Sequence, residues 1–333
     1  MKIAIVKLSA LGDIVHAMVA LQFIKTYNQK IEIDWVVEEG YKELLEFHPD
    51  INKVHVVKIK KAKMAKSFFL LLNEIKKVKQ FGSYDLVIDL QGLIKSAVIS
   101  RLISSPITIG FDKSSIRESI ASFFYNKSFK CGYEENVIER NLKLIKYALE
   151  LSFAIEEVKY KQPFLYSSKQ YFFPNLSNIK KNILLVPGAS FKSKRIPVIK
   201  FSELTKMLDA NFFIIWGNQE EKIIADKIKF LSPSVNVCEK LSIKSLISLI
   251  TQVDLVIGSD TGPTHMAWAL NQSSITIFGP TPGHRNSYLT PINKIVQSTS
   301  LVNPLKIDQN DFSIKTIEVS EIVKISKTLL ELK

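Results

Sequence analysis

The chain reads as an α/β protein made of two Rossmann-like, doubly wound parallel sheets, and three observations predict it. Strand-length apolar runs alternate with segments of helical period in both halves of the sequence, which is the pattern of consecutive βαβ units. Several of those runs end at glycine-bearing turns that lead into helices, where open α/β sheets place their ligands. Between about 156 and 181 the periodicity lapses, and Gln162-Pro163, Ser167-Ser168, Pro174-Asn175 and Ser177-Asn178 mark a connector between domains at 1–160 and 180–333.

Lys2 to Lys7 gives a first buried strand, Ser9-Ala10-Leu11-Gly12 its turn, and Asp13 onward a helix with Ile14, Val15, Met18, Leu21 and Ile24 on one face. Strands follow at 31–37, 54–59, 84–90 and 107–111, with helices near 41–48, 65–80, 93–104 and 114–124 and a longer one at 137–151. The second set has strands at 182–186, 212–216, 235–237, 255–258 and 275–278, and helices near 198–209, 219–231, 243–252 and 263–270. A last helix, 320–332, is expected to fold back across the junction onto the first domain.

The stretch from Leu255 to Ala267 carries the plainest functional signal. An apolar strand ends at Ser259-Asp260-Thr261-Gly262, and Pro263 suits the first turn of the helix that follows. Free N–H groups at such a helix start attract anions, and Gly262 lets a phosphate come close to the backbone. Asp260 would repel that phosphate but accept hydrogen bonds from sugar hydroxyls, so the turn suits a nucleotide-sugar. The plain alternative is that Asp260 or Thr261 only caps the helix.

Composition narrows the classes. At 333 residues, with 46% hydrophobic and 23% charged residues, the chain has the make-up of a globular protein with two cores. Neither a secretory signal nor a membrane-spanning run is expected, and Cys131 and Cys238, far apart and in no metal or redox spacing, are expected as small core residues of a cytoplasmic protein. The net charge of +13 asks for an acidic partner. Much of it lies between Lys58 and Lys79, where eight lysines face one acid, Glu74, around Phe68, Phe69, Leu70, Leu71 and Leu72. Three readings stand: an anionic membrane surface, a solvated helix with an apolar inner face, and nucleic acid, for which no recognition motif is present. No G-x-G-x-x-G or P-loop pattern occurs, and no D-x-D pair sits at a strand end to hold a diphosphate-bound metal. The chemistry must then rest on lysines, helix N-termini and a base.

These residues together resemble glycosyltransferase family 9 along the whole chain. The likeness rests on Val6-Lys7-Leu8-Ser9-Ala10-Leu11-Gly12-Asp13-Ile14-Val15-His16, Asp34-Trp35-Val36-Val37-Glu38-Glu39-Gly40, Asp89-Leu90-Gln91-Gly92-Leu93-Ile94-Lys95-Ser96 and Arg117-Glu118 in the first half. In the second half it rests on Pro187-Gly188-Ala189-Ser190, Lys194-Arg195-Ile196-Pro197, Trp216-Gly217, Ser259 to His265 and Phe278-Gly279-Pro280-Thr281. The first-turn and Trp-Val-Val segments favour the members that add the first heptose over those that add the second. The resemblance implies a GT-B fold, two such domains facing a cleft. It further implies inverting transfer of L-glycero-D-manno-heptose from ADP-heptose to the Kdo of Kdo2-lipid A, without metal or cofactor. That places a monomer at the inner face of the inner membrane, with no nucleic-acid partner. Another family 9 transferase, such as a second-heptose enzyme, or a non-catalytic nucleotide- or nucleic-acid-binding protein, is the competing reading.

The resemblance also assigns residues. Asp13 is the expected general base, against an N-cap, and Lys194 the lysine that offsets charge on the leaving ADP, chosen over Lys192 because it stands three before Pro197. The donor set is Ala189, Ser190, Lys194, Glu221, Asp260, Thr261, Gly262 and His265, with Glu220 the alternative to Glu221 as the ribose contact. The acceptor set is Lys7, Ser9, Gly12, His16, Gln91, Lys95, Arg117 and Arg140, since Kdo2-lipid A offers carboxylates and phosphates. For both His16 and His265 a core histidine is the alternative reading. Ile196 stands where the family often has tryptophan, so an aromatic contact beside the donor is expected to be missing.

Overall fold

Six strands in one register after another organise each half of the molecule. The structure, a computed structural model, describes residues 1–332, and contacts divide the chain into one unit from Met1 to Tyr166 and a second from Ser167 onward. In the first unit the strands are β1 (Lys2–Val6), β2 (Glu32–Glu38), β3 (Lys53–Val57), β4 (Leu86–Asp89), β5 (Thr108–Phe111) and β6 (Lys127–Phe129). Its helices are α1 (Leu11–Met18), α2 (Ala20–Tyr27), α3 (Lys42–Leu45), α4 (Ile59–Met64), α5 (Phe68–Val78), α6 (Ile94–Leu102) and α7 (Val137–Leu149). The second unit has β7 (Asn182–Val186), β8 (Asn211–Ile214), β9 (Asn236–Val237), β10 (Leu255–Ser259), β11 (Ser274–Phe278) and β12 (Asn293–Gln297). Around them lie α8 (Val198–Met207), α9 (Gln219–Leu231), α10 (Ile243–Ile250), α11 (Gly262–Ala269), α12 (Gly283–Asn286) and α13 (Val319–Glu331).

The two sheets share one topology. The first runs β3-β2-β1-β4-β5-β6 and the second β12-β11-β10-β7-β8-β9, and every pairing in both is parallel. This is the doubly wound order of dinucleotide-binding folds, and its switch point falls between the first and fourth strands, here β1/β4 and β7/β10. Helices cover both faces of such sheets, so the central strands must be apolar throughout. Ile3, Ala4, Ile5 and Val6, and Ile183, Leu184 and Leu185, accordingly have almost no exposure. At Gly258 the strands pack too tightly for a side chain, since a Cβ there would stand 2.6 Å from Val186 Cβ and 2.8 Å from its carbonyl oxygen.

The elements depart from the periodicity in places. Helix α1 begins at Leu11, so Gly12 lies inside its first turn and Asp13 is its third residue, not the N-cap. The helix expected at 65–80 is α5, shortened to Phe68–Val78 and started by Ser67, whose Oγ accepts the Leu70 N–H; the unexpected short α4 precedes it, and Lys66 with φ +47 separates the two. The segment 114–124 makes only a 3-10 turn, Ser119–Phe124. The strands β6 and β12 were not legible: both lie at sheet edges, and their Lys-Ser-Phe and Asn-Lys-Ile-Val-Gln carry too few apolar residues to announce a strand. In the last helix Val319, Ile322, Val323 and Leu329 join the core of the second sheet, and α13 packs on α8 and β10–β12. Cys131 and Cys238 are only half-buried. No helix among the described residues is long and apolar enough to cross a membrane.

Candidate functional site

The second switch point gathers the donor-side residues. Strand β7 ends at Val186 and leads through Pro187-Gly188-Ala189-Ser190, while its neighbour β10 ends at Ser259, which places Asp260 just beyond the carboxyl edge of the sheet. Asp260 is 8% exposed. Its Oδ2 accepts from Lys194 Nζ at 2.8 Å and from Asn286 Nδ2 at 3.3 Å, and its Oδ1 pairs with His265 Nε2 at 3.0 Å. Burial pushes its carboxyl pKa upward, but the Lys194 charge and the hydrogen bonds from His265 and Lys194 outweigh that and hold it well below the usual carboxylate range. A carboxylate has about four acceptor positions. Three are filled by protein donors, so Asp260 holds Lys194 and His265 in place, and one position is left.

Helix α11 starts beside this cluster. Thr261 is its N-cap, with Gly262 and Pro263 as the first helical residues, and Thr264 Oγ1 ties back to the Ser259 and Thr261 carbonyls. Pro263 has no N–H to orphan, and the helix start turns its positive end outward beyond the sheet edge. Thr264, His265 and Gly262 are buried.

A pocket of about 110 Å³ opens next to it, walled by Val186, Ile215, Trp216, Leu241 and Leu246, with Gly188, Gly217, Glu221, Thr261 and Pro263 at its rim. Trp216 donates its indole N–H to the Cys238 carbonyl at 2.8 Å, which fixes the ring in the wall. Glu221 Oε2 accepts the Gly217 N–H at 2.7 Å, and Asn218 caps α9 by accepting from Glu221 N–H. A Cβ on Gly188 would stand 2.5 Å from Glu221 Cδ, so the glycine is what lets that carboxylate reach the strand end. Glu220 is placed otherwise: its two oxygens take Arg195 Nη1 and Nη2 at 2.6 and 2.9 Å on the surface. The pocket is smaller than one that encloses a whole ligand. It is the size of one flat apolar end of a ligand, and it lies between the Glu221 carboxylate and the N-terminus of α11. A larger open groove, about 500 Å³ along α8 and α9, contains no strand-end residue.

Of the other donor-side expectations, Ala189 is buried and Ser190 exposed in the β7 turn. Lys194 is 8% exposed and turned to Asp260, whereas Lys192 is exposed. Ile196 sits at 5% exposure in the apolar core of this unit. Asn286 was missed by sequence reasoning. Its signal was the Gly279-Pro280-Thr281-Pro282-Gly283 turn after β11, the strand next to β10, which had to deliver α12 to the same edge.

The first switch point has its own cluster. Gln91 Oε1 accepts the Leu8 and Ser9 N–H groups, both at 3.1 Å, and Lys95 Nζ donates to Ser9 Oγ at 3.0 Å. Asp13 Oδ2 accepts the Ala10 N–H at 3.1 Å, and the carboxylate is half-exposed at the helix start. Tyr41 and Glu38 lie near it; burial first, then the charges of Asp13 and Glu38, raise the Tyr41 pKa. Arg117 is exposed beyond β5. Three members of the acceptor set are buried. His16 is 3% exposed, Lys7 is 4% exposed and donates to the Leu90 carbonyl at 2.7 Å, and Arg140 is 4% exposed. The Arg140 guanidinium donates to the Gly132 and Ser115 carbonyls and lies over the Phe111 ring, which ties loops around β5 together. Among the described residues no cluster of three or more His, Cys, Asp or Glu is placed to hold a metal ion.

Comparison with known proteins now bears on these two edges. The model of glycosyltransferase family 9 (heptosyltransferase) matches residues 74–312. Lipopolysaccharide heptosyltransferase 1 of Campylobacter coli is 39% identical over 99% of both chains. The Escherichia coli K12 protein of that name is 29% identical over 86% of this chain and 91% of its own. The solved structure of E. coli heptosyltransferase WaaC with ADP superposes with a TM-score of 0.78 at 25% identity, covering 99% of this chain and all of the other.

Proposed function

The chain belongs to glycosyltransferase family 9, and from that premise we infer that it transfers heptose in building the lipopolysaccharide inner core, from ADP-heptose to the Kdo of Kdo2-lipid A. The observation that carries the reading is the second switch point. An apolar slot, a carboxylate at its rim, a helix N-terminus and a buried lysine follow one another in the sequence base, ribose, diphosphate and sugar. The adenine lies against Trp216 and Leu246, Glu221 takes the ribose hydroxyls, and the Thr261–Gly262 backbone takes the diphosphate. Ala189 and Ser190 line the approach. His265, held by Asp260, reaches a phosphate oxygen or the heptose.

The reaction is a single displacement. The acceptor hydroxyl oxygen forms its bond to the anomeric carbon as the bond from that carbon to the phosphate oxygen breaks, and the configuration inverts. Asp13 takes the hydroxyl proton. ADP leaves with the electron pair, and Lys194 with the dipole of α11 stabilises the charge that gathers on it. Ser9, Gln91, Lys95 and Arg117 face the acidic acceptor, with Gly12 keeping the first turn of α1 open beside Asp13. The protein acts at a membrane surface because its acceptor is a lipid.

Two acceptors offered in parallel test this reading. With ADP-heptose, the protein should extend Kdo2-lipid A and leave Kdo2-lipid A that already carries one heptose unchanged. Exclusive use of the second would move it to the enzymes that add the second heptose.

A further inference from the structure

We propose that α4 and α5 form a docking surface for an anionic lipid bilayer. Met64, Phe68 and Phe69 are 76%, 72% and 70% exposed, and Leu71 and Leu72 are exposed as well. A helix that serves only the core buries an apolar stripe. Helix α5 fully buries Val78 alone among its eleven residues, so the solvated helix with an apolar inner face does not describe it. Large apolar side chains left in water at one place mark an interaction site.

Charge complementarity selects the occupant. Eight lysines and one acid lie between Lys58 and Lys79, and that acid, Glu74, is spent on the Lys58 N–H at 2.9 Å. The outward face therefore offers aromatic and aliphatic groups set among cations, the chemistry of an interfacial amphipathic helix on acidic lipid. The segment is also fastened to the acceptor edge of the first sheet. Glu38, which ends β2, accepts the Lys60 N–H at 2.9 Å through Oε1, and Glu39 pairs with Lys58 at 2.7 Å. The Glu38 N–H in turn bonds the Leu8 carbonyl beside Ser9. A bilayer on α4–α5 thus lies next to the edge that carries Asp13, Gln91 and Lys95. The inference rests on the reading of a lipid acceptor, and it commits to acidic lipid over an acidic protein.

Flotation with vesicles of equal parts phosphatidylglycerol and phosphatidylcholine, against phosphatidylcholine alone, tests it on the full chain. Wild type should bind only the acidic vesicles. Lys61→Gln/Lys63→Gln/Lys76→Gln should lose on the order of 100-fold in that binding, and Phe68→Gln/Phe69→Gln at least ~10-fold. Both variants should keep wild-type kcat and KM on a water-soluble acceptor stripped of acyl chains. Unchanged vesicle binding by either variant, equal binding of wild type to soluble polyglutamate, or a lost kcat on the soluble acceptor would each overturn the proposal. Should no acceptor receive heptose at all, the vesicle measurement still reads the surface by itself.

Discussion

Lys194 and Asp260 make a prediction that geometry can size. Their charged atoms stand 2.8 Å apart with side-chain exposures of 10% and 8%, so little solvent screens them. At an effective dielectric near 20 that separation gives a gross attraction of about 6 kcal/mol. Desolvation removes part of it, and taking away one partner of a buried pair costs about 3–5 kcal/mol because the other charge stays behind. Lys194→Met strands a carboxylate, Asp260→Asn strands an ammonium, and the double variant strands neither. For a domain the size of the second unit each kcal/mol shifts melting by roughly 2–4 °C. Each single variant should therefore lower that unit's calorimetric transition by roughly 6–20 °C, and the double variant by no more than the worse single one. If the two losses simply add, the residues do not act as a pair and the placement of Lys194 by Asp260 is wrong. Repeating the series with ADP separates ligand from fold: the wild-type gain in melting temperature on saturation should shrink in Lys194→Met beyond what the apo shift accounts for.

Further outcomes follow from the same structure. Asparagine can still accept the Ala10 N–H that Asp13 now takes but cannot accept a proton near neutral pH, so Asp13→Asn should melt like wild type while kcat falls by roughly 10²- to 10⁴-fold; wild-type turnover would return Asp13 to a structural role. Glu221→Gln should weaken ADP binding measured by titration calorimetry about tenfold or more, and Glu220→Gln, which loosens only a surface pair, should leave it within about twofold. Equal effects would undo the distinction drawn between them. His48 is buried, accepts the Asp50 N–H on Nδ1, and has its pKa lowered by burial from 6.5 to about 4. The unfolded chain therefore binds a proton that the folded one refuses between those values, so stability should fall as pH drops from 6.5 to 4, by about 3 kcal/mol. His48→Asn should flatten that slope in denaturant titrations, and an unchanged slope would assign it to other groups.

How far the sequence carried the structure depends on which force decides each element. The central strands were legible because a parallel sheet covered on both faces demands unbroken apolar runs, and Ile3 to Val6 or Leu255 to Ile257 can be nothing else. Edge strands such as β6 are set by pairing with a neighbour more than by their own residues, so Lys127–Phe129 gave no sign. The turn after β10 was visible because Gly262, Pro263 and Asp260 have local reasons to stand where they do. Its inner wiring was not. That Asp260 spends three of its acceptor positions on Lys194, His265 and Asn286 depends on three separate segments meeting, and no spacing encodes it. Arg140 shows the same limit: its place on a helix was legible, but its guanidinium's bonds to the Gly132 and Ser115 carbonyls depend on loops outside that helix. The lysine run was legible as charge, but only the exposure of Phe68 and Phe69 distinguishes a surface meant to be covered from a solvated helix.

The most direct measurement is the mass of the lipid product together with its anomeric configuration by NMR. Incubated with ADP-heptose and Kdo2-lipid A, the purified wild-type chain should release ADP and yield a product heavier by one heptose, attached with inverted anomeric configuration, while Asp13→Asn, in the time wild type needs for conversion, should leave nearly all the acceptor at its starting mass. An unmodified acceptor with the wild-type protein, or a product with retained configuration, would contradict the account.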